Sequence, residues 1–152
     1  MRTLISTGCV LMMLHSVNSF AQCKLTESMT PGTHYKPVNV LQVNTGKGFT
    51  VNGYVRAQGD CKPVPGAKVA HWQTSSKGKY EDHLRAYMLT DRNGYYSFHT
   101  ERPGGETPRI HFMIIANGYK TLITQWVGPG GNLNRIQQNF IVAPAGRNGA
   151  PR

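Results

Sequence analysis

Among the residues that could do chemistry, two cysteines have the fewest possible roles. Cys23 and Cys61 remain once an N-terminal leader carrying Cys9 is removed. An isolated pair of cysteines in an exported chain predicts a disulfide between Cys23 and Cys61. A metal site with two thiolate ligands is the alternative, and it is less favoured because the pair lacks C-x-x-C spacing.

The first residues predict the compartment in which that disulfide would form. Arg2 precedes the apolar run at 11–14, and the residues ending at Ala21 resemble an A-x-A cleavage site. The glutamine before Cys23 argues against lipidation, because a lipobox has a small residue there. We therefore predict a signal peptide over 1–21 and a secreted or periplasmic protein. No later stretch reaches the ~20 apolar residues of a spanning helix, so no transmembrane segment is expected after cleavage.

The chain beyond the leader has the size of one domain and is strongly basic. Sixteen lysines and arginines face seven acidic residues, a net charge of about +9. The basic residues form no run of five or six, so no nucleic-acid partner is expected. An aromatic acid or an anionic envelope would be attracted to such a surface.

Short apolar or alternating runs separated by glycine, proline, asparagine and aspartate indicate an all-β domain. We predict an antiparallel β-sandwich over 49–143, preceded by an N-terminal arm over 22–48 and followed by a flexible tail over 144–152. About seven short strands are expected: Phe49–Ala57, Ala67–Thr74, Leu84–Thr90, Tyr95–Thr100, Arg109–Ala116, Tyr119–Trp126 and Gln137–Val142. The Asn-Gly pairs at 93–94 and 117–118 each predict a hairpin between the flanking strands.

Several motifs follow one another in a recognisable order. They are Cys23–Thr26 with Thr30–Tyr35, Val51–Ala67 ending in C-K-P-V-P-G-A, His71–Tyr80, Thr90–Thr100, and Ile110–Phe112 with Thr124–Gln125. Their order resembles the intradiol dioxygenases, ferric enzymes that cleave catechol or protocatechuate between the hydroxyl-bearing carbons. Part of the pattern, P-V-P-G-A followed by T-D-x-x-G-x-Y, is also common in transthyretin-like sandwiches, which do not catalyse.

The resemblance implies Fe(III) bound by two tyrosinates and two histidines, a hard ligand set that suits this ion. Tyr80 matches the first tyrosinate, and His111 matches the second histidine. Arg109 stands two residues before His111, on the same face of a strand, where the family has its other histidine. A guanidinium has no lone pair to donate, and the loop over 101–108 contains no tyrosine. Two of the four ligands are therefore missing, and the cofactor is either Fe(III) in an altered shell or none.

Two further residues take candidate catalytic roles from the resemblance. Arg109 either replaces the lost histidine or, after a deletion, descends from the arginine with which the family stabilises charge on its substrate. Gln125 keeps the family's distance from His111 and is either an outer-shell residue or a packed strand residue. Other residues that could complete an iron shell are His34, Tyr35, His71, His83, His99, Glu101 and Glu106.

The predicted function is that of an intradiol dioxygenase-like protein. Its family activity would be Fe(III)-dependent ring cleavage of a catechol-like or other aromatic compound, impaired or lost here because ligands are missing. The alternative is a non-catalytic, transthyretin-like module for binding or assembly.

Overall fold

The computed structural model describes residues 23–129 and 132–146, so the predicted signal peptide lies outside the described residues. Eight strands are present: β1 Gly48–Ala57, β2 Lys68–Thr74, β3 Tyr80–Leu89, β4 Tyr95–Glu101, β5 Arg109–Ile115, β6 Leu122–Val127, β7 Arg135–Gln137 and β8 Phe140–Val142. The described part of the chain contains no helix with the length and apolar character needed to cross a membrane.

The strands form two packed sheets, which confirms the predicted all-β sandwich. One sheet has the order β4-β1-β7, with β8 pairing farther along β1, and the other has the order β3-β2-β5-β6. Side chains alternate between the two faces of each strand, so Val51, Val55, Phe98, Ile110 and Phe112 point inward and are fully buried. The outer face of the β3-β2-β5-β6 sheet therefore points away from this core, and the candidate site lies on it.

The predicted last strand is divided into two short ones. Both β7 and β8 run parallel to β1, so the sandwich is not purely antiparallel. The Asn139 side-chain oxygen accepts a hydrogen bond from the Tyr54 amide. The Gln138 carbonyl turns to accept the hydroxyl of Tyr96. The Gln138 amide still bonds to the Asn52 carbonyl, but at Asn139 a side-chain oxygen takes the place of a backbone acceptor, so the pairing is interrupted between β7 and β8.

The prediction of a hairpin at Asp91–Gly94 is wrong. The turn itself forms, and the Asp91 carboxylate accepts the amides of Asn93 and Tyr95. However, β3 pairs with β2 while β4 pairs with β1, so this turn carries the chain from one sheet to the other. Local turn chemistry fixes the reversal of the chain but not which strand pairs with which. The second predicted hairpin is confirmed, since β5 and β6 pair antiparallel on either side of 117–118.

The N-terminal arm covers the edge strands of both sheets. At one side of the sandwich, the Thr26 amide bonds to Ile141 in β8 and the Met29 amide bonds to Ile123 in β6. Farther along, residues 40–45 bond to Tyr87 in β3 and to His99 in β4 at the opposite side. Backbone groups that an exposed sheet edge would offer to another chain are therefore partly occupied.

The predicted disulfide is confirmed and lies at the start of the arm. Cys23 and Cys61 are joined, with Cα atoms 5.5 Å apart, and Cys23 also pairs with Gly59. At the other end of the chain, Pro144 pairs with Tyr119. Residues 147–152 of the predicted tail lie outside the described residues.

Candidate functional site

The outer face of β5 carries the two residues that the sequence singled out. Arg109 and His111 alternate with the fully buried Ile110 and Phe112, so they share the face opposite the core. In the sheet, His111 lies opposite Trp72 of β2 and opposite Gln125 of β6. His111 stacks on Trp72, with ring centroids 5.1 Å apart and planes 4° from parallel.

Tyr80 and His111 form a hydrogen-bonded pair. The Tyr80 hydroxyl lies 2.7 Å from Nε2 of His111. Burial, together with the charge of Arg109, lowers the pKa of His111 to about 4. Burial also raises the pKa of Tyr80, although Arg109 and Arg85 oppose this. Both groups are therefore neutral at pH 7, and the imidazole tautomer sets which of them donates in this hydrogen bond.

The other ring nitrogen of His111 has no partner among the described residues. Nδ1 of His111 and the side-chain oxygen of Gln125 are both buried, and neither has a hydrogen-bond partner in this part of the chain. The two residues are direct cross-strand neighbours, and each carries a buried polar atom that needs a partner. These contacts do not test the role outside the ligand shell that was predicted for Gln125, so that role stays a prediction.

The arm contributes two aromatic side chains that cover this group. His34 stacks on Tyr80, with centroids 4.2 Å apart and planes 13° from parallel. Tyr35 packs edge-on against Trp72 at 5.3 Å. Both residues are candidate ligands in the sequence. Their placement could not be predicted, because local spacing does not relate residues of the arm to strands about 40 residues later.

Arg109 lines an open cleft beside this group. Its backbone amide bonds to the hydroxyl of Thr74, which fixes the start of β5 next to the end of β2. Within the described residues its guanidinium makes no hydrogen bond or ion pair. The cleft has a volume of about 520 Å³ and is lined by His34, Thr74, Lys77, Gly78, Tyr80, Gly105, Glu106, Thr107 and Arg109.

Two loops in close backbone contact form one wall of the cleft. The Gly104 amide bonds to the carbonyl of Ser75, and a side-chain oxygen of Glu101 accepts the amide of Ser76. A Cβ atom on Gly104 would overlap the carbonyl oxygen of Ser76, so only glycine permits this contact without movement.

We expect Gly104→Ala to destabilise the fold by ~1–3 kcal/mol, because the loops must separate to make room for the methyl group. Gly146→Ala is the matched control, since a Cβ atom there meets nothing within 4 Å. Urea unfolding of both variants measures the difference. Equal midpoints for the two variants would show that the loop contact has no energetic weight.

The remaining candidate ligands do not converge on Tyr80 and His111. His71 is buried in the core against Phe98, and His83 is on the surface beside Glu81. His99 bonds to Thr50 in the other sheet. Glu101 holds the loop backbone, and Glu106 lines the cleft without an ion-pair partner among the described residues.

Part of the chain is similar in sequence to known catechol dioxygenases. No protein-family profile matches the chain. A catechol 1,2-dioxygenase of Pseudomonas sp. (strain EST1001) is 31% identical over 53% of this chain and 36% of its own length. One from Acinetobacter baylyi is 30% identical over 43% of this chain and 31% of its own length. The chain thus spans about a third of the length of these curated relatives.

Solved structures of dioxygenases have a similar fold. The dioxygenase domain of a dioxygenase and carbohydrate-binding fusion from Streptomyces sp. SirexAA-E matches with a TM-score of 0.71, 24% identity, and coverage of 80% of this chain and 100% of that domain. An intradiol ring-cleavage dioxygenase from Tetranychus urticae matches with a TM-score of 0.62, 28% identity, and coverage of 68% and 64%. The chain is intradiol dioxygenase-like in sequence and fold.

The donor set of this intradiol dioxygenase-like chain does not fit the four-ligand Fe(III) shell that the resemblance implies. Tyr80 and His111 bring two donor atoms together. His34 contacts Tyr80 through stacked rings and not through a ring nitrogen. Arg109 adds a positive charge on the same strand face. Among the described residues, no three His, Cys, Asp or Glu side chains are grouped closely enough to hold a metal ion.

Proposed function

We propose that this protein is a secreted or periplasmic, intradiol dioxygenase-like binding protein that has lost ring cleavage and uses the remaining cleft to hold a ligand. The observation that carries the proposal is the position of Arg109, on the same face of β5 as His111 and beside the Tyr80–His111 hydrogen bond. An enzyme of this kind needs a metal with an open position for the substrate, and this cleft presents the guanidinium of Arg109 instead.

The physical argument against iron rests on charge and on donor atoms. A guanidinium stays protonated at any ordinary pH and offers no lone pair, so Arg109 repels Fe(III) without binding it. The charge also helps to keep His111 neutral, whereas burial keeps Tyr80 neutral against the opposing charges of Arg109 and Arg85. Fe(III) would have to displace the Tyr80 proton while gaining only two ligands.

Iron uptake tests this proposal directly. The mature protein, purified with its disulfide intact, is incubated with Fe(III), and its iron content and visible spectrum are measured before and after catechol is added. We expect no stoichiometric iron, no tyrosinate-to-iron absorption band and no oxygen consumption with catechol. Stoichiometric iron whose absorption band disappears in Tyr80→Phe would refute the proposal and support the relatives' activity, ring cleavage of a catechol.

A gain-of-function variant sharpens the test. Arg109→His removes the cation and places a second imidazole two residues before His111, which gives three candidate ligands on β3 and β5, the two strands that flank β2. We expect this variant to take up more Fe(III) than the wild type. Arg109→Gln is the control, because it removes the same charge without adding an imidazole.

Export is supported by the leader-like N-terminal sequence and by the disulfide between Cys23 and Cys61. Expression with the full N-terminal sequence in a bacterium, followed by fractionation and intact-mass measurement, tests it. The expected product is periplasmic or secreted and begins at Gln22. A full-length product in the cytoplasm would contradict export.

A further inference from the structure

The cleft contains a partly buried cation that the fold does not neutralise. Arg109 is half-buried and lines the cleft, yet within the described residues no carboxylate lies within ion-pairing distance of it. Arginines that are partly removed from water are normally paired, because an uncompensated charge is costly there. An unpaired guanidinium that faces an open cleft is therefore a candidate anion-binding group.

Other charges in and near the cleft are mainly positive. Lys77 lines the same cleft and has no ion-pair partner among the described residues. Arg85 also acts on Tyr80, and its side chain is only 9% exposed. Among the described residues its one ion-pair partner is Asp82, which it shares with Lys36. Glu106 is the only acidic residue that the described part of the chain contributes to the lining.

We propose that this cleft binds a small monocarboxylate, held by the Arg109 guanidinium and assisted by Lys77. The proposal rests on the proposed function, because it needs a cleft that is free of iron. A guanidinium presents paired N–H donors whose geometry matches the two oxygens of a carboxylate. The stacked rings of Tyr80 and His34 supply a flat, largely apolar wall for the body of the ligand.

The charge balance favours a monoanion over a polyanion. Arg109 and Lys77 carry two positive charges and Glu106 carries one negative charge, which leaves a net charge of about +1 on these three lining residues. Phosphate and sulfate sites commonly gather several backbone amides or more than one arginine around the oxyanion. The lining side chains here supply one arginine and one lysine.

Titration calorimetry and NMR with benzoate, propionate, inorganic phosphate and neutral catechol test the proposal on the iron-free mature protein. We expect benzoate to bind more tightly than propionate, because it adds contact with the aromatic wall. Both should bind more tightly than phosphate or catechol. Phosphate or catechol binding as tightly as benzoate would overturn the assignment to a carboxylate.

Variants locate the site. Arg109→Gln should weaken benzoate binding about tenfold or more, the value of a charge-assisted hydrogen bond, and Arg109→Lys should recover only part of the loss. Lys77→Gln should weaken it a few-fold. Lys79→Gln is the matched control, with the same change in net charge but a position outside the cleft lining, and it should have no effect.

The outcomes separate this inference from the proposed function. Unchanged affinity in Arg109→Gln, or equal effects of the Lys77 and Lys79 variants, would overturn the carboxylate site. Failure of the carboxylate to bind an iron-free protein overturns this inference alone. Stoichiometric iron uptake overturns the proposed function, and the carboxylate site with it.

Discussion

Replacing His71 by leucine is expected to make the protein markedly more stable in acid. His71 is fully buried, stacks on Phe98 at 4.0 Å, and has no hydrogen-bond partner for either ring nitrogen among the described residues. Burial alone lowers its pKa to about 3. Only the neutral imidazole is therefore compatible with the folded core at ordinary pH.

The sign of the pH dependence follows from that lowered pKa. The unfolded chain binds the proton near pH 6.5, whereas the folded protein resists it down to about pH 3. The contribution of His71 to stability is therefore fully present above pH 6.5 and decreases as the pH falls from 6.5 towards 3. The slope is about 1.4 kcal/mol per pH unit, so about 2–3 kcal/mol should be lost by pH 4.5.

Urea unfolding at a series of pH values between 7.5 and 4 measures this loss in the wild type and in His71→Leu. The variant should have a shallower pH dependence and, because it removes two unsatisfied buried nitrogens, should be at least as stable at pH 7. Part of the slope should remain, since burial also lowers the pKa of His111. The exposed His83, replaced by glutamine, is the control and should not change the slope. Parallel curves for wild type and His71→Leu would contradict the assignment of the loss of stability in acid to His71.

Removing the disulfide should cost the fold about 3–4 kcal/mol. Cys23 and Cys61 are 38 residues apart, and a crosslink that closes a loop of this size restricts the unfolded chain by about that free energy. The double variant Cys23→Ser/Cys61→Ser should therefore unfold at a lower urea concentration. In the oxidised wild type the crosslink survives unfolding, so chemical reduction should lower the midpoint to that of the double variant.

Hydrogen exchange distinguishes a loss of global stability from local release of the arm. The amides of Thr26 and Met29 bond to the edge strands close to the disulfide, whereas that of Gln42 bonds to Tyr87 at the other side of the sandwich. We expect the first two amides to lose protection most in the double variant. An unchanged unfolding midpoint together with unchanged exchange would show that the disulfide does not stabilise the fold.

Much of the sandwich could be predicted from the sequence because the relevant signals are local. Alternation of apolar residues along Gly48–Ala57 and Arg109–Ile115 identifies the strands and their buried faces. Turn residues identify the chain reversals. The pairing of β3 with β2, rather than with β4, was missed because Asp91–Gly94 has the same turn chemistry whether the strands then pair or diverge into two sheets.

The sequence by itself determined which ligands of the expected iron shell are absent. An arginine stands two residues before His111, and the loop before this strand has no tyrosine, and these facts hold whatever the exact packing because donor atoms belong to residue types. The disulfide partners were likewise predicted, since only two cysteines follow the predicted leader.

Only the tertiary structure decided what stands in place of that shell. The Tyr80–His111 hydrogen bond joins strands β3 and β5, which are separated in the sheet by β2. The stacking of His34 on Tyr80 brings the arm across the same face. The unpaired state of Arg109 depends on every carboxylate in the described chain lying elsewhere. These are properties of distances between residues remote in sequence, and no local pattern of side chains encodes them.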